Sequence, residues 1–167
     1  EEFMERFNIL FTEGYGLTEV GQCTFTRPNE PFRVGSCGKE SPGYEIKIVN
    51  PDTDEELPRN TPGELVLRPR IPNICLHYYY KMPEKTVSDF RNLWFHTGDL
   101  CRMDEDGYIF FMDRVKDYIR RRGENISSFE VENLISTHPS IEESAAIAVK
   151  LDEQGRHSED ELMIVIV

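Results

Sequence analysis

A chain of 167 residues with a formal net charge of −12 offers no general surface for nucleic acid or anionic lipid, since such surfaces are built from excess lysine and arginine. At 38% hydrophobic and 30% charged residues the composition is that of a folded protein, long enough for one good core or for parts of two. No apolar run approaches the ~20 residues of a membrane-spanning helix and no signal peptide is present, so a cytoplasmic protein without a transmembrane segment is expected.

In chain order, "FNILFT" (7–12) predicts a buried strand running into the glycine-rich turn "EGYG". "YEIKIV" (44–49) alternates Tyr44, Ile46 and Ile48 against Glu45 and Lys47, as a half-buried strand should. Turn chemistry fills "NPDTDEELPRNTPG", and "ELVLR" returns as a strand. Pro83 suits the first turn of a helix reaching Phe90. "LCRM", "DEDG" and "YIFFM" read as strand, turn and strand, with Gly107 supplying a positive φ. Ser127 and Glu130 form a capping box before a helix with Val131, Leu134 and Ile135 on one face, ended by Pro139. "AAIAVKL" and "ELMIVIV" are two further strands. The last breaks off at Val167 in mid-run, and the first has no preceding partner, so a segment of a longer protein is expected. Cys23, Cys37, Cys75 and Cys101 show neither C-x-x-C spacing nor a nearby pair of histidines. They read as reduced thiols, not as a disulfide frame or metal site.

Three stretches carry chemistry. "YGLTE" (15–19) sets an aromatic ring, a hydroxyl and a carboxylate within five residues. Such a set can stack a purine, bond a phosphate and hold Mg²⁺, or it can be an ordinary turn with a packed tyrosine. "FHTGD" (95–99) ends in a carboxylate, whose two oxygens suit a ribose diol, although Thr-Gly-Asp turns are common. "DRVKDYIRRRGEN" (113–125) gathers Arg114, Lys116, Arg120, Arg121 and Arg122 within nine residues and stops at Gly123. It is either a charged hairpin edge or an anion site with a glycine where backbone approaches a ligand.

Taken in one register, Tyr-Gly-x-Thr-Glu, Thr-Gly-Asp, Asp-Arg and Gly-Glu-Asn resemble the AMP-forming acyl-CoA synthetases of the adenylate-forming superfamily. The resemblance extends through "GSCGKESPGYEIKIVNPDTDEELPRNTPGELVLR". It implies an α+β fold, mostly antiparallel β. Residues 1–114 would be the end of the large adenylate-forming domain, a distorted β-barrel, and residues 115–167 the first half of the small C-terminal domain. It also implies a reaction in which a small carboxylic acid attacks the α-phosphate of ATP and CoA then displaces AMP.

Carried residue by residue, the resemblance lays Tyr15 on adenine, with Gly16 in the same nucleotide motif. Thr18 meets phosphate, and Glu19 holds Mg²⁺. Asp99 takes the ribose hydroxyls with help from Arg114. Lys116 falls at the hinge between adenylating and thioester-forming poses, and Gly123 faces the pantetheine arm of CoA. Arg120, Arg121 and Arg122 fit CoA phosphates or a strand edge equally well.

The family's phosphate loop, due before Tyr15, and its terminal lysine, due after Val167, are not in this sequence. The segment alone is therefore expected to be inactive. His77 stands where the family has glycine. The arginine triplet with Gly-Glu-Asn-Ile-Ser looks most like the carnitine and crotonobetaine CoA ligases; the expected acid is carnitine-like or of short to medium chain, in fatty acid metabolism. Amino-acid adenylation onto a carrier protein and a non-catalytic interaction module are the alternatives.

Overall fold

Alternating apolar residues form the strands that the sequence promises, and most of these pair antiparallel with a neighbour in sequence. The structure is a computed structural model describing residues 2–9, 11–116, 119–121, 124–150 and 160–167. The chain divides into two units, Glu1–Phe111 and Met112–Val167, a division three residues before the boundary expected.

The first unit begins with α1 (Glu2–Phe7). Strands β1 (Gly14–Leu17), β2 (Gly21–Phe25) and β3 (Lys39–Glu40) then form a small sheet in that order. Next come β4 (Tyr44–Val49), β5 (Gly63–Pro69), α2 (Pro83–Asp89), β6 (Phe95–Met103) and β7 (Ile109–Arg114), whose four strands make a sheet in sequence order. β7 runs through the division between the units.

Strand β4 occupies the residues predicted for it, with Tyr44, Ile46 and Ile48 buried. Together with Val20, Cys23, Leu65, Leu67, Phe95, Cys101, Met103 and Ile109 they make the core. Residues Gly63–Leu67 of β5 are buried throughout, as befits a strand paired on both edges. Gly107, at φ +84°, turns β6 toward β7 as expected.

Two expectations fail here. The described residues of 7–12 are not in a strand: Phe7 closes α1, and Asn8 takes φ +50°, a left-handed conformation that ends a helix and cannot continue as strand. The apolar residues gather as rings instead, Phe3 against Phe7 and Phe11 at 4.4 and 5.1 Å. The ladder with β2 starts later, at Gly14, so Tyr15 and Gly16 lie within a strand and not in a turn after one. The close pairing explains Gly16, where a Cβ would sit 2.3 Å from the carbonyl oxygen of Gly21.

The second unit holds β8 (Ile119–Arg121) and β9 (Glu124–Ile126), which pair as a hairpin, then α3 (Ser128–Ile135). Strands β10 (Ser144–Lys150) and β11 (Asp160–Ile166) form an antiparallel pair. Ser127 caps α3, its Oγ accepting the Glu130 amide at 3.3 Å. Of the predicted apolar face, Val131 and Ile135 are half-buried but Leu134 is 74% exposed. α3 joins β10 through the Glu132 carboxylate, which accepts the Ala146 amide at 2.9 Å. No helix among the described residues is long and apolar enough to cross a membrane.

Candidate active site

The fold brings together two motifs that lie 84 residues apart. The Tyr15 hydroxyl donates to Oδ2 of Asp99, joining β1 to β6 across the edge of the core. Asp99 is 3% exposed. The Tyr15 amide donates to Thr24 Oγ1 at 3.0 Å, and that hydroxyl donates to the Cys37 carbonyl at 2.6 Å, so backbone and side chain of Tyr15 are both fixed. Burial, and then the hydrogen bond to Asp99, push the Tyr15 phenol well above its ordinary range; it remains a donor at neutral pH. Its ring stacks beside Phe111 of β7, centroids 6.4 Å apart and planes 26° from parallel. Phe111 is 45% exposed, so an aromatic pair with one accessible member stands next to a carboxylate.

Asp99 owes its direction to an irregularity in the sheet. Pairing of β5 with β6 slips between Glu64 and Val66, and opposite the slip Gly98 adopts φ +70°, a conformation glycine takes without steric cost. The Thr-Gly-Asp stretch is thus a kink inside β6, where a tight turn was expected. Thr97 Oγ1 donates to the Leu65 carbonyl at 2.7 Å and accepts the Asp99 amide at 3.1 Å. On the other side, Oε1 of buried Glu64 accepts the Gly98 amide at 3.0 Å.

Glu19 and Thr18 follow β1. Thr18 is exposed. The Glu19 carbonyl accepts the Leu76 amide at 2.6 Å, while its Oε1 accepts the Tyr79 hydroxyl at 3.0 Å. Burial, and then this carboxylate, raise the Tyr79 phenol well above its usual value. Among the described residues no three His, Cys, Asp or Glu side chains gather as a metal cage. A single carboxylate of this kind fits Mg²⁺ held mainly by substrate phosphates and water.

The four thiols are free and unsuited to attack. Burial drives Cys101 well above its ordinary value, with Asp99 adding to the effect, and pushes Cys23 up to about 12. Cys37 and Cys75 move the same way, again mainly through burial.

Arg114 and Lys116 belong to the second unit and are exposed. Lys116 lines a cavity of about 560 Å³ with Asp113, Ser128, Glu132 and Ala146–Ala148. The Asp113 carboxylate accepts the Ser127 and Ser128 hydroxyls at 2.9 and 3.2 Å, and the Arg114 amide at 2.8 Å. Gly123 and Arg122 lie outside the described residues, as do the side chains of Arg120 and Arg121.

Comparison with known proteins bears directly on this arrangement. The family described as AMP-binding enzyme matches residues 1–79. The probable CoA ligase CCL5 of Humulus lupulus is 40% identical over 160 residues, covering 93% of this chain and 28% of its own. A 4-coumarate–CoA ligase, number 2 of Oryza sativa subsp. japonica, is 38% identical over 153 residues, covering 87% of this chain and 26% of its own. ATP-bound MatB from Rhodopseudomonas palustris superposes with a TM-score of 0.75 and 33% identity, covering 95% of this chain and 30% of its own.

The chain is thus similar, over nearly all of its length, to enzymes of the adenylate-forming, AMP-binding superfamily. It spans less than a third of the length of these relatives.

Three residues that shape the candidate site escape the sequence pattern. Phe111 reads only as part of a strand, and period-two alternation puts it on the face of buried Ile109, so its exposure has no local signal. Tyr79 sat in the conspicuous "HYYY" run without a partner in view. Glu64 was one polar residue in "GELVLR", and its burial at 4% exposure had no local signal.

Proposed function

We propose that the chain is part of an ATP-dependent, AMP-forming acid–CoA ligase, comprising the end of its large domain and the start of its small one. One observation carries this: Tyr15 and Asp99, far apart in sequence, are hydrogen-bonded to each other. An aromatic ring and a buried carboxylate held together suit a purine riboside, whose base stacks and whose diol donates two hydrogen bonds. In this reading adenine lies against Tyr15, with Phe111 extending the apolar surface. Asp99 accepts the ribose hydroxyls, and Arg114 assists. Gly16 keeps β1 and β2 close enough to hold Tyr15 in place.

Thr18 and Glu19 then face the phosphates. Glu19, braced by Tyr79, would hold Mg²⁺, which offsets the negative charge of the triphosphate. Asp99 and Tyr15 fix the nucleoside end, so the α-phosphate is presented to the substrate carboxylate in a constant orientation, a contribution of positioning and not of proton transfer. Lys116 serves as the hinge that re-presents the small domain for CoA, and Gly123 lies toward the thiol arm.

The carnitine-like reading of the acid rests on the Arg-Arg-Arg-Gly-Glu-Asn-Ile-Ser run alone, and an acid of short to medium chain length is the broader proposal. The relatives named as 4-coumarate ligases set an aromatic acid beside it. The free thiols support a cytoplasmic placement.

ATP–pyrophosphate exchange by the full-length protein, across carnitine-like, short-chain, aromatic and amino acids, tests the proposal. Exchange that depends on a carboxylic acid and is followed by CoA thioester formation is the expected result. Exchange with amino acids alone, or none with any acid, would overturn it. The 167-residue chain by itself is expected to form no acyl-adenylate, since it lacks a phosphate loop before Tyr15 and so lacks groups to balance charge developing on the α-phosphate.

A further inference from the structure

We propose that Glu64 is a positioning residue for the nucleotide, acting through the backbone of Gly98 on the direction of Asp99. The inference rests on the reading of Asp99 as the ribose acceptor and goes beyond it to a residue on the opposite face of the same sheet.

Glu64 is an unexpected occupant of its position. It lies on β5 between two paired strands, is 4% exposed, and has Leu65, Val66 and Leu67 buried after it. An apolar side chain there would avoid the cost of desolvating a carboxylate, and a buried ion pair is by itself weak evidence of stabilisation. The carboxylate is nonetheless fully engaged. Oε1 accepts the Gly98 amide at 3.0 Å. Oε2 accepts His96 Nδ1–H at 2.9 Å and Arg91 Nη2–H at 3.3 Å. Arg91 is in turn held by Asp54, with Nε 3.2 Å from Oδ2 and Nη2 3.1 Å from Oδ1. The chain of contacts therefore runs from Asp54 through Arg91 and Glu64 to one backbone amide, that of Gly98.

That amide is where control is needed. Gly98 is the residue before Asp99 and sits at φ +70°. Glycine populates positive and negative φ about equally, so the conformation that aims Asp99 at Tyr15 is not enforced by sterics. Two anchors enforce it. The Thr97 hydroxyl pins the Asp99 amide and the Leu65 carbonyl, and Glu64 pins the Gly98 amide. With Glu64 gone, the peptide between Thr97 and Gly98 turns more freely, and the Asp99 carboxylate no longer waits in one orientation. A charge-assisted hydrogen bond to a backbone N–H is strong enough for the task, and His96 and Arg91 keep its acceptor from rotating away.

The test uses the full-length enzyme, with ATP and 2′,3′-dideoxyATP as paired substrates. Wild type should prefer ATP by roughly ten- to a hundred-fold in KM, the worth of hydrogen bonds to a charged acceptor. Glu64→Gln keeps the volume but places an amide donor among donors. It should shrink the preference to a few-fold by raising the KM for ATP, with the KM for dideoxyATP unchanged and kcat at saturating ATP moving less. Lys47→Ala, on the same face of the sheet, where Lys47 pairs with Glu56 at 2.7 Å and lies over the Trp94 ring, should keep the wild-type preference. A Glu64→Gln enzyme that still favours ATP as wild type does would overturn the proposal. A wild type indifferent to the hydroxyls would instead overturn the ribose reading of Asp99, and the positioning role with it. Should Glu64→Gln fail to fold, Arg91→Met decides: a narrowed preference supports the role, and an unchanged one refutes it.

Discussion

Replacing Asp99 tests the site and the fold at once, because its carboxylate serves a proposed ligand and a known partner. In the full-length enzyme Asp99→Ala should weaken nucleotide binding and slow adenylation. Loss of a charged acceptor costs roughly 1.5–3 kcal/mol, or about ten- to a hundred-fold. The structure adds a second effect, because the Tyr15 hydroxyl donates to Asp99 and would be left without that acceptor. Tyr15 is half-buried and its hydroxyl also meets the Thr97 side chain, so the cost falls toward the low end of the about 1–3 kcal/mol for an unpaired buried donor, lowering Tm by roughly 2–4 °C. Asp99→Asn keeps an oxygen for Tyr15 but loses the charge, so it should spare most of the stability while still weakening nucleotide binding. Adding Tyr15→Phe to Asp99→Ala removes the orphan and should recover stability, though not binding, a coupling that a double-mutant cycle isolates. Thermal unfolding of the 167-residue chain gives the stability arm, and exchange kinetics of the whole enzyme give the other. Equal stability of the Ala and Asn variants, with no recovery from Tyr15→Phe, would refute the coupling. Normal nucleotide affinity in both would reduce Asp99 to a structural residue.

The folded chain should lose stability in alkali. The Cys23 thiol rises from its ordinary 9.0 to about 12 on burial, so its contribution is complete below about pH 8.5 and is lost as pH climbs toward the folded value, at up to ~1.4 kcal/mol per pH unit. Urea midpoints from pH 8 to about pH 11 should fall, and fall less steeply in Cys23→Ala; identical slopes would contradict this. In the full-length enzyme Lys116→Pro fixes φ and removes an amide hydrogen, and should depress thioester formation by orders of magnitude while acyl-adenylate still forms. Lys116→Ala should be far milder, and single-turnover assays started from ATP or from preformed acyl-adenylate separate the two steps.

What the sequence disclosed was local. "YEIKIV" became β4 because period-two alternation needs only one buried face. Pro83, Gly107 and Ser127 fell where intended because each acts on the backbone within a few residues of itself. "FNILFT" misled because an apolar run says nothing of its partner, and the strand that pairs with β2 starts at Gly14. Leu134 misled in the same way: it has the spacing of a buried position, yet the described residues leave it 74% exposed. At the candidate site Tyr15, Glu19 and Asp99 stood out through motif order, but their braces did not. Tyr79 meets Glu19 across 60 residues and Glu64 meets Gly98 across 34. Such contacts are fixed by sheet register and by a slip in it, which no local pattern encodes.

Asp113 refines how the hinge experiment should be understood. Lys116 was chosen from the motif, with the large domain expected to extend to residue 114. The chain divides into compact units between Phe111 and Met112, and Asp113 accepts hydrogen bonds from Ser127 and Ser128 at the start of α3. Those contacts tie a residue before Lys116 to a helix after it, within a single unit. A rotation about the Lys116 backbone would have to part the Asp113 carboxylate from both hydroxyls. Hinges take up rotation in few residues, where little holds the flanking segments together. With the pivot at Lys116, the two serine hydroxyls are contacts that the rotation must break, and so form a latch. Asp113→Asn, which weakens the latch without touching the backbone, would then shift the balance between adenylation and thioester formation. An unchanged balance, with only the stability of the second unit lowered, would count against a pivot at Lys116.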